Sequence, residues 1–160
     1  MNLEIIIGKV KFKGDGKVKY KVVYFSRTGT SKNVAKKIAS KLSCDVIQIT
    51  DNMNWNGILG FIKGGYYSSK NKGVDIKING NLDNSDELIV VTPLWAGRVA
   101  PAIRVFLKNM KLDKINLVVN SNGSTIKNSS GFKSVSDIVK SKNNEDDLIN
   151  NLVNNLSFQK

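Results

Sequence analysis

The sequence predicts an α/β fold with a doubly wound parallel sheet. Short apolar runs alternate with segments whose apolar residues recur at helical spacing, and this alternation is typical of βαβ crossovers. The first run is continuously apolar, as expected for a strand buried on both faces of a parallel sheet. Because 160 residues is the length of one ordinary domain, we expect a single domain over 1–160, with its core at 20–160.

Five strands are predicted in this core. The first spans 22–25, and the others are expected at 46–49, 88–92, 117–119 and 135–139. A helix at about 31–42 follows the first strand, because five apolar residues share one face there: Val34, Ala35, Ile38, Ala39 and Leu42. Similar stripes predict helices around Ile103 and Phe106 and around Leu148 and Leu152. Residues 120–130 are rich in Ser, Asn and Gly, which favours a loop with at most a short helix.

The first nineteen residues predict an extra β-ribbon ahead of the core. Asp15-Gly16 lies between two stretches, 10–12 and 18–20, in which lysine alternates with apolar residues, and Asp-Gly is a common hairpin turn. The lysines of this ribbon favour a solvated edge that resists unwanted strand pairing. A docking surface for an anionic partner is the alternative.

Composition excludes several classes of chemistry. The chain has no histidine, which removes Ser-His-Asp and Cys-His catalysis and most zinc and copper sites. Its single cysteine, Cys44, allows no internal disulfide. Its 25 basic and 13 acidic residues give a formal net charge of +12, which suits a negatively charged partner. The longest apolar runs have four or five residues, so we expect no membrane span and a cytoplasmic protein.

The segment from Ser26 to Ser31 is the clearest candidate site. It lies between the first strand and the first helix, and it contains four hydroxyl groups and Gly29. Backbone N–H groups at a helix N-terminus bind anions, and hydroxyl groups can donate hydrogen bonds to phosphate oxygens. A plain helix cap by Thr30 or Ser31 is the alternative, and these six residues alone do not decide between the two.

Two further segments are expected at the same edge of the sheet. Residues 92–98 follow the third strand and place Trp95 beside the hydroxyl-rich loop, and the polar turn 120–124 follows the fourth strand. Ligands of open α/β sheets bind at this edge, beyond the carboxyl ends of the strands. A phosphate cradle, an aromatic plate and a hydrogen-bonding loop fit a flat heterocycle with a phosphorylated tail. The alternative for Trp95 is a half-buried core residue.

These segments resemble the flavodoxin family. Residues 24–32 look like the FMN phosphate loop of flavodoxins, residues 92–97 and the helix behind them resemble their second flavin loop, and residues 120–124 take the place of the third. Residues 60–66 are similar to a stretch of short, single-domain members. The resemblance runs from about Val22 to the C-terminus. It implies a flavodoxin-like five-stranded parallel sheet in the order 2-1-3-4-5.

The resemblance also implies a site for FMN, with Trp95 stacked on the isoalloxazine ring. The implied cofactor-binding residues are Ser26, Arg27, Thr28, Gly29, Thr30, Ser31, Pro93, Leu94, Trp95, Ala96, Gly97, Ser121, Asn122, Gly123 and Ser124. No catalytic side chain and no metal ligand is expected. The chain departs from the family in two respects. The third loop lacks the aromatic residue that often covers the second flavin face, and the net charge is positive where carrier flavodoxins are typically acidic.

Three functions are consistent with these features. The resemblance favours a redox protein that transfers electrons through FMN to a partner protein or small acceptor that is acidic or anionic. An NAD(P)H-dependent FMN or quinone reductase on the same fold is the alternative, although nothing marks a nicotinamide site. A flavin-free basic binding module is the third possibility, and no nucleic-acid recognition motif supports it.

Overall fold

The computed structural model describes residues 3–7, 10–14, 17–70, 72–83 and 85–159. These residues form nine strands: β1 Leu3–Ile7, β2 Val10–Gly14, β3 Tyr20–Tyr24, β4 Asp45–Asp51, β5 Ile76–Asn79, β6 Glu87–Trp95, β7 Arg98–Val99, β8 Ile115–Ser121 and β9 Ser134–Val139. They also form four α-helices: α1 Thr30–Leu42, α2 Gly57–Ser69, α3 Pro101–Leu107 and α4 Glu145–Ser157. Within the part of the chain that the structure describes, no helix is long and apolar enough to cross a membrane.

The main sheet is mixed. Its strands lie in the order β5-β4-β3-β6-β8-β9, and β7 pairs with β6 outside this row. Strands β4, β3, β6, β8 and β9 are parallel to one another, whereas β5 pairs with β4 and β7 with β6 in antiparallel fashion. The α/β class is therefore confirmed, but the expectation of a purely parallel, five-stranded sheet is corrected by these two short strands. Both are short, so neither carries a strong period in the sequence.

Helices cover both faces of the sheet. On one face, residues of α1 and α4 such as Ile38 and Ile149 pack against Val22 and Ile89. On the other face, Ile103 and Phe106 of α3 pack with Val23 and Val90. Neighbouring residues of β3 and β6 thus belong to opposite cores, because successive side chains of a strand point to opposite faces. This double burial is what the continuous apolar runs predict.

The N-terminal ribbon pairs differently from the expectation. Strand β1 is antiparallel to β2, with Ile5 opposite Phe12. Residues 10–12 therefore pair with an earlier segment rather than with 18–20, and Tyr20 belongs to the main sheet, opposite Glu87. The expected turn residues Asp15 and Gly16 lie outside the described residues.

The connection between β8 and β9 contains turns and bends but no helix over residues 122–133. This matches the composition of the segment, which lacks an apolar stripe that a helix could bury.

Candidate functional site

A cleft of about 360 Å³ opens at the carboxyl ends of β3, β6 and β8. Strands β3 and β6 are adjacent in the sheet although they are not consecutive in the chain, so the strand order reverses between them. Such a reversal leaves a crevice between the flanking loops, and open α/β sheets bind their ligands there. The cleft's volume falls within the range of about 300–1,000 Å³ that is typical of small-molecule sites.

One end of this cleft is the N-terminus of α1. Gly29 precedes the helix with a φ of 96°, a conformation that favours glycine, and its N–H donates to Ser26 Oγ at 3.0 Å. No side chain caps the helix. The hydroxyl groups of Thr28 and Thr30 lie 3.4 Å apart, and both threonines are exposed. An uncapped helix N-terminus beside two exposed hydroxyl groups has the chemistry of an anion site.

Ser31 is in a different environment from the two threonines. Its side chain is buried, and its hydroxyl donates to Asn120 Oδ1 at 2.5 Å. This hydrogen bond joins the start of α1 to the end of β8, across 89 positions of sequence. Ser31 therefore neither caps α1 nor presents a free hydroxyl at the surface. It holds Asn120, which lines the cleft.

Trp95 forms an aromatic wall of the cleft. Its ring meets those of Phe25 and Trp55 edge to face, with centroid distances of 5.9 and 5.1 Å. Gly64 of α2 also approaches it closely, since a Cβ there would lie 3.1 Å from Trp95 Cε3. Trp95 is half-buried and packs against the core on one side while it lines the cleft. Trp95 is therefore both a core residue on one side and an aromatic surface of the cleft on the other.

The second loop is a tight hairpin between β6 and β7. Ala96 and Gly97 have φ values of 52° and 74° and connect Trp95 to Arg98, which pair across the turn. Two positive φ angles in a two-residue turn are typical of type I′ hairpins. The backbone N–H of Lys127 donates to Gly97 O at 2.9 Å, and a Cβ at Gly97 would lie 2.6 Å from Lys127 Cε. The β8–β9 connection thus lies directly against this turn.

The third loop is held largely by its own hydrogen bonds. Ser121 Oγ donates to Ser124 O at 2.5 Å and accepts from Ser124 N at 3.1 Å. Asn122 O accepts a hydrogen bond from Ser141 N at 3.0 Å, which ties the loop to the turn after β9. The loop is therefore shaped before any ligand arrives, and Ser121 and Asn122 line the cleft.

Comparison with solved structures identifies the fold. A flavoprotein from Lactobacillus acidophilus NCFM, solved in complex with FMN, superposes with a TM-score of 0.59 at 18% sequence identity, over 82% of this chain and 98% of its own. A provisionally named flavoprotein from Bacteroides eggerthii has a TM-score of 0.63 at 19% identity, over 87% of this chain and 98% of its own. The chain has a flavodoxin-like fold. No protein-family model matches the sequence, and a search of curated proteins finds no significant match.

Within this flavodoxin-like fold, the three expected loops meet at one cleft. The predicted residues that line it are Arg27, Thr28, Thr30, Pro93, Leu94, Trp95, Ser121 and Asn122. The predicted residues that support these loops without lining the cleft are Ser26, Gly29, Ser31, Ala96, Gly97, Gly123 and Ser124.

Two parts of the cleft carry residues that the sequence analysis did not assign to the site. Phe61 of α2 is one, and the segment from the end of β9 to the start of α4 is the other, with Ile138, Val139, Lys140, Asn143, Asn144 and Glu145. The second could have been expected, because β9 is parallel to β8 and therefore ends at the same edge.

Two of the charged side chains at the cleft have defined partners. Arg27 Nη1 donates to Trp55 O at 3.2 Å. Glu145 pairs with Lys37 Nζ at 2.6 Å, and this hydrogen bond is the main cause of a raised pKa for Lys37. Arg98 is exposed on β7, opposite Trp95. Arg27 and Lys140 thus contribute positive charge to the cleft lining, and Arg98 lies next to the cleft, opposite Trp95.

Arg104 does not line this cleft. Its Nη2 donates to Tyr67 O at 3.1 Å and to Lys72 O, which holds the C-terminal end of α2 against α3. Burial, followed by the nearby charge of Arg98, lowers the pKa of Arg104. These contacts give Arg104 a structural role between two helices.

Proposed function

We propose that this protein binds FMN non-covalently in the cleft and transfers electrons through it. The observation that carries the proposal is the uncapped N-terminus of α1, which lies beside the exposed hydroxyl groups of Thr28 and Thr30 in the same cleft as Trp95. One end of the cleft thus suits a phosphate and the other suits an aromatic ring. The Lactobacillus acidophilus flavoprotein of the same fold, which was solved with FMN, supports this assignment.

The residues present fit the chemistry of FMN. The phosphate would accept hydrogen bonds from Thr28, Thr30 and the first N–H groups of α1. Gly29 lets the backbone approach closely, because it has no side chain and its φ of 96° is unstrained for glycine. The isoalloxazine would stack on Trp95, with its pyrimidine edge towards Ser121 and Asn122. Phe61, which also lines the cleft, would supply a second aromatic surface in place of the one that the third loop lacks.

The protein's part in the chemistry is to bind and orient the cofactor. Bound FMN supplies the capacity to accept and release electrons. Glu145 is the acidic residue among those lining the cleft, and it is paired with Lys37. Its carboxylate is therefore engaged in an ion pair rather than presented to a substrate. The side chains act on the cofactor through hydrogen bonds, stacking and charge.

The rim favours an acidic or anionic redox partner. Arg27 and Lys140 line the cleft, Arg98 lies opposite Trp95 on β7, and the chain as a whole carries a net charge of +12. Opposite charges on two partners raise the rate of encounter and align their surfaces. The partner would be an acidic electron-transfer protein or a small anionic acceptor.

Flavin retention tests this function. The purified protein is mixed with excess FMN, free flavin is removed by gel filtration, and the absorbance spectrum of the protein fraction is recorded. We expect one flavin per chain, and a colourless fraction would refute the proposal. Oxidation of NADH or NADPH by the loaded protein is measured in parallel, since turnover without any partner protein would favour the reductase alternative over an electron carrier.

A further inference from the structure

Helix α2 exposes a large apolar surface next to the cleft. Four of its side chains are mainly in contact with solvent: Ile58 at 80%, Leu59 at 82%, Phe61 at 72% and Ile62 at 61%. Single exposed apolar residues are common on protein surfaces, but a group of adjacent large ones marks an interaction site. We call these four residues the α2 apolar face.

The exposure of the α2 apolar face follows from how the helix packs. Gly60 and Gly64 are buried: a Cβ at Gly60 would lie 2.0 Å from the backbone carbon of Trp55, and Gly64 lies against the ring of Trp95. The glycines thus take the inward side of the helix, and the large apolar residues beside them are left on its exposed side. The same close contacts that position Trp95 thus hold the apolar face in solvent.

The surroundings of this face are basic. Residues 52–74 contain Lys63, Lys70 and Lys72 and no acidic residue, and the flanking Asp51 and Asp75 are engaged by Trp55 Nε1 and Asn52 Nδ2. The neighbouring strand β7 adds the exposed Arg98. A partner for this surface must therefore be apolar where it meets α2 and negatively charged around it.

We propose that α2 docks on an anionic lipid bilayer, with its apolar face inserted among the lipid chains and its lysines at the headgroups. A second copy of the chain fits poorly, because it would bring the same lysines and another net charge of +12. Protein interfaces are depleted in lysine and enriched in Trp, Tyr and Arg. Lysine beside Ile, Leu and Phe is instead typical of segments that lie in a membrane surface.

This inference does not depend on bound flavin, but it has a consequence for the cleft. Phe61 belongs both to the α2 apolar face and to the cleft lining. Docking through α2 would therefore place the mouth of the cleft at the lipid surface.

Vesicle flotation tests the proposal. The full chain is mixed with phosphatidylcholine vesicles, with or without phosphatidylglycerol, and we expect it to float only with the anionic ones. The double variant Ile58→Ser with Leu59→Ser avoids the cleft lining and should weaken binding at least about tenfold, because each side chain loses its transfer into hydrocarbon. Phe158→Ser is the matched control. Phe158 is 84% exposed and lies beyond the far end of α4, so this variant should float like the original protein.

A second pair of variants tests whether the lysines near α2 are needed for vesicle binding. Lys63→Gln with Lys70→Gln should weaken binding about fivefold per lysine. Lys36→Gln with Lys41→Gln removes the same charge from α1, on the opposite face of the sheet, and should have a smaller effect. Equal flotation of the Ile58→Ser, Leu59→Ser variant and the original chain would overturn the proposal. So would a dimer, found by sedimentation equilibrium, that dissociates in the Leu59→Ser variant while vesicles bind neither form.

Failure of this proposal can be told apart from failure of the proposed function. FMN retention is measured on every variant that is used in the flotation assay. A chain that retains FMN and does not bind vesicles contradicts only the docking of α2. A chain that binds vesicles and retains no flavin contradicts only the FMN site.

Discussion

Replacing Thr28 by valine removes one hydroxyl from the proposed phosphate site and keeps the branched shape of the side chain. Thr28 is exposed, and among the described residues its hydroxyl contacts Thr30 Oγ1, at 3.4 Å. The folded protein therefore loses almost nothing, and we expect the free energy of unfolding without flavin to change by less than about 0.5 kcal/mol. A hydrogen bond to a charged group contributes about 1.5–3 kcal/mol. The dissociation constant for FMN should thus rise about 10- to 150-fold.

Ser31→Ala provides the contrasting variant. Ser31 is buried, and its loss leaves Asn120 Oδ1 without its donor in a buried position. An unsatisfied buried acceptor costs about 1–3 kcal/mol, so this variant should lower the midpoint of thermal unfolding. Ser31→Ala should therefore affect stability first, whereas Thr28→Val affects FMN affinity first.

Fluorescence titration with two flavins and thermal unfolding measure these effects. Riboflavin lacks the phosphate, so Thr28→Val should leave its affinity unchanged. Equal weakening of FMN and riboflavin by Thr28→Val would refute the reasoning, because the hydroxyl would then act on the ring or on the fold. A loss of stability in Thr28→Val as large as that in Ser31→Ala would refute it as well.

Three further predictions concern the ring, the N-terminus and the charge of the rim. Trp95→Leu should restore part of the emission of bound FMN, because a stacked indole quenches it. Trp55→Phe should not restore the emission, since Trp55 contacts Trp95 edge-on from the core. If Trp55→Phe restored the emission and Trp95→Leu did not, the isoalloxazine would stack on Trp55 instead. A chain that begins at Val18 should fold and retain FMN, because Tyr20–Tyr24 lies in the main sheet, and an unfolded product would place the ribbon in the core. Arg98→Glu should lower the reduction potential of bound FMN, by an interaction on the order of 1 kcal/mol. An unchanged reduction potential would show that the charge of Arg98 does not act on the flavin.

The fold was predictable where buried residues recur at a regular spacing in the sequence. Helix α1 shows its buried face as Val34, Ala35 and Ile38, and β6 shows double burial as a continuous apolar run. The carboxyl ends of parallel strands meet at one edge, so three loops far apart in sequence could be assigned to one site. This argument needs only the order of the elements and the type of each loop.

Helix α2 was not predicted, and its composition explains why. It contains four glycines, which disfavour helices in isolation, and its large apolar residues face solvent rather than the core. The reason for Gly60 and Gly64 is their contact with Trp55 and Trp95 in space. No local sequence pattern within residues 57–69 indicates the contacts of these glycines with the two tryptophans.

Individual side-chain roles within the site were also beyond the sequence. Ser26, Thr28, Thr30 and Ser31 are equivalent hydroxyl donors by residue type. The structure separates them, because Ser31 bonds to Asn120 and Ser26 to Gly29, whereas the threonines are exposed. Their partners are set by how β8 and the loop pack, which a spacing rule does not contain.

The affinity ratio of FMN to riboflavin tests the central claim most directly. Both flavins carry the same ring, so the ratio isolates the phosphate and the N-terminus of α1. With two or more charge-assisted hydrogen bonds, we expect FMN to bind at least about 100-fold more tightly than riboflavin. Equal affinities, or no binding of either flavin, would show that the N-terminus of α1 is not a phosphate site and would contradict the account.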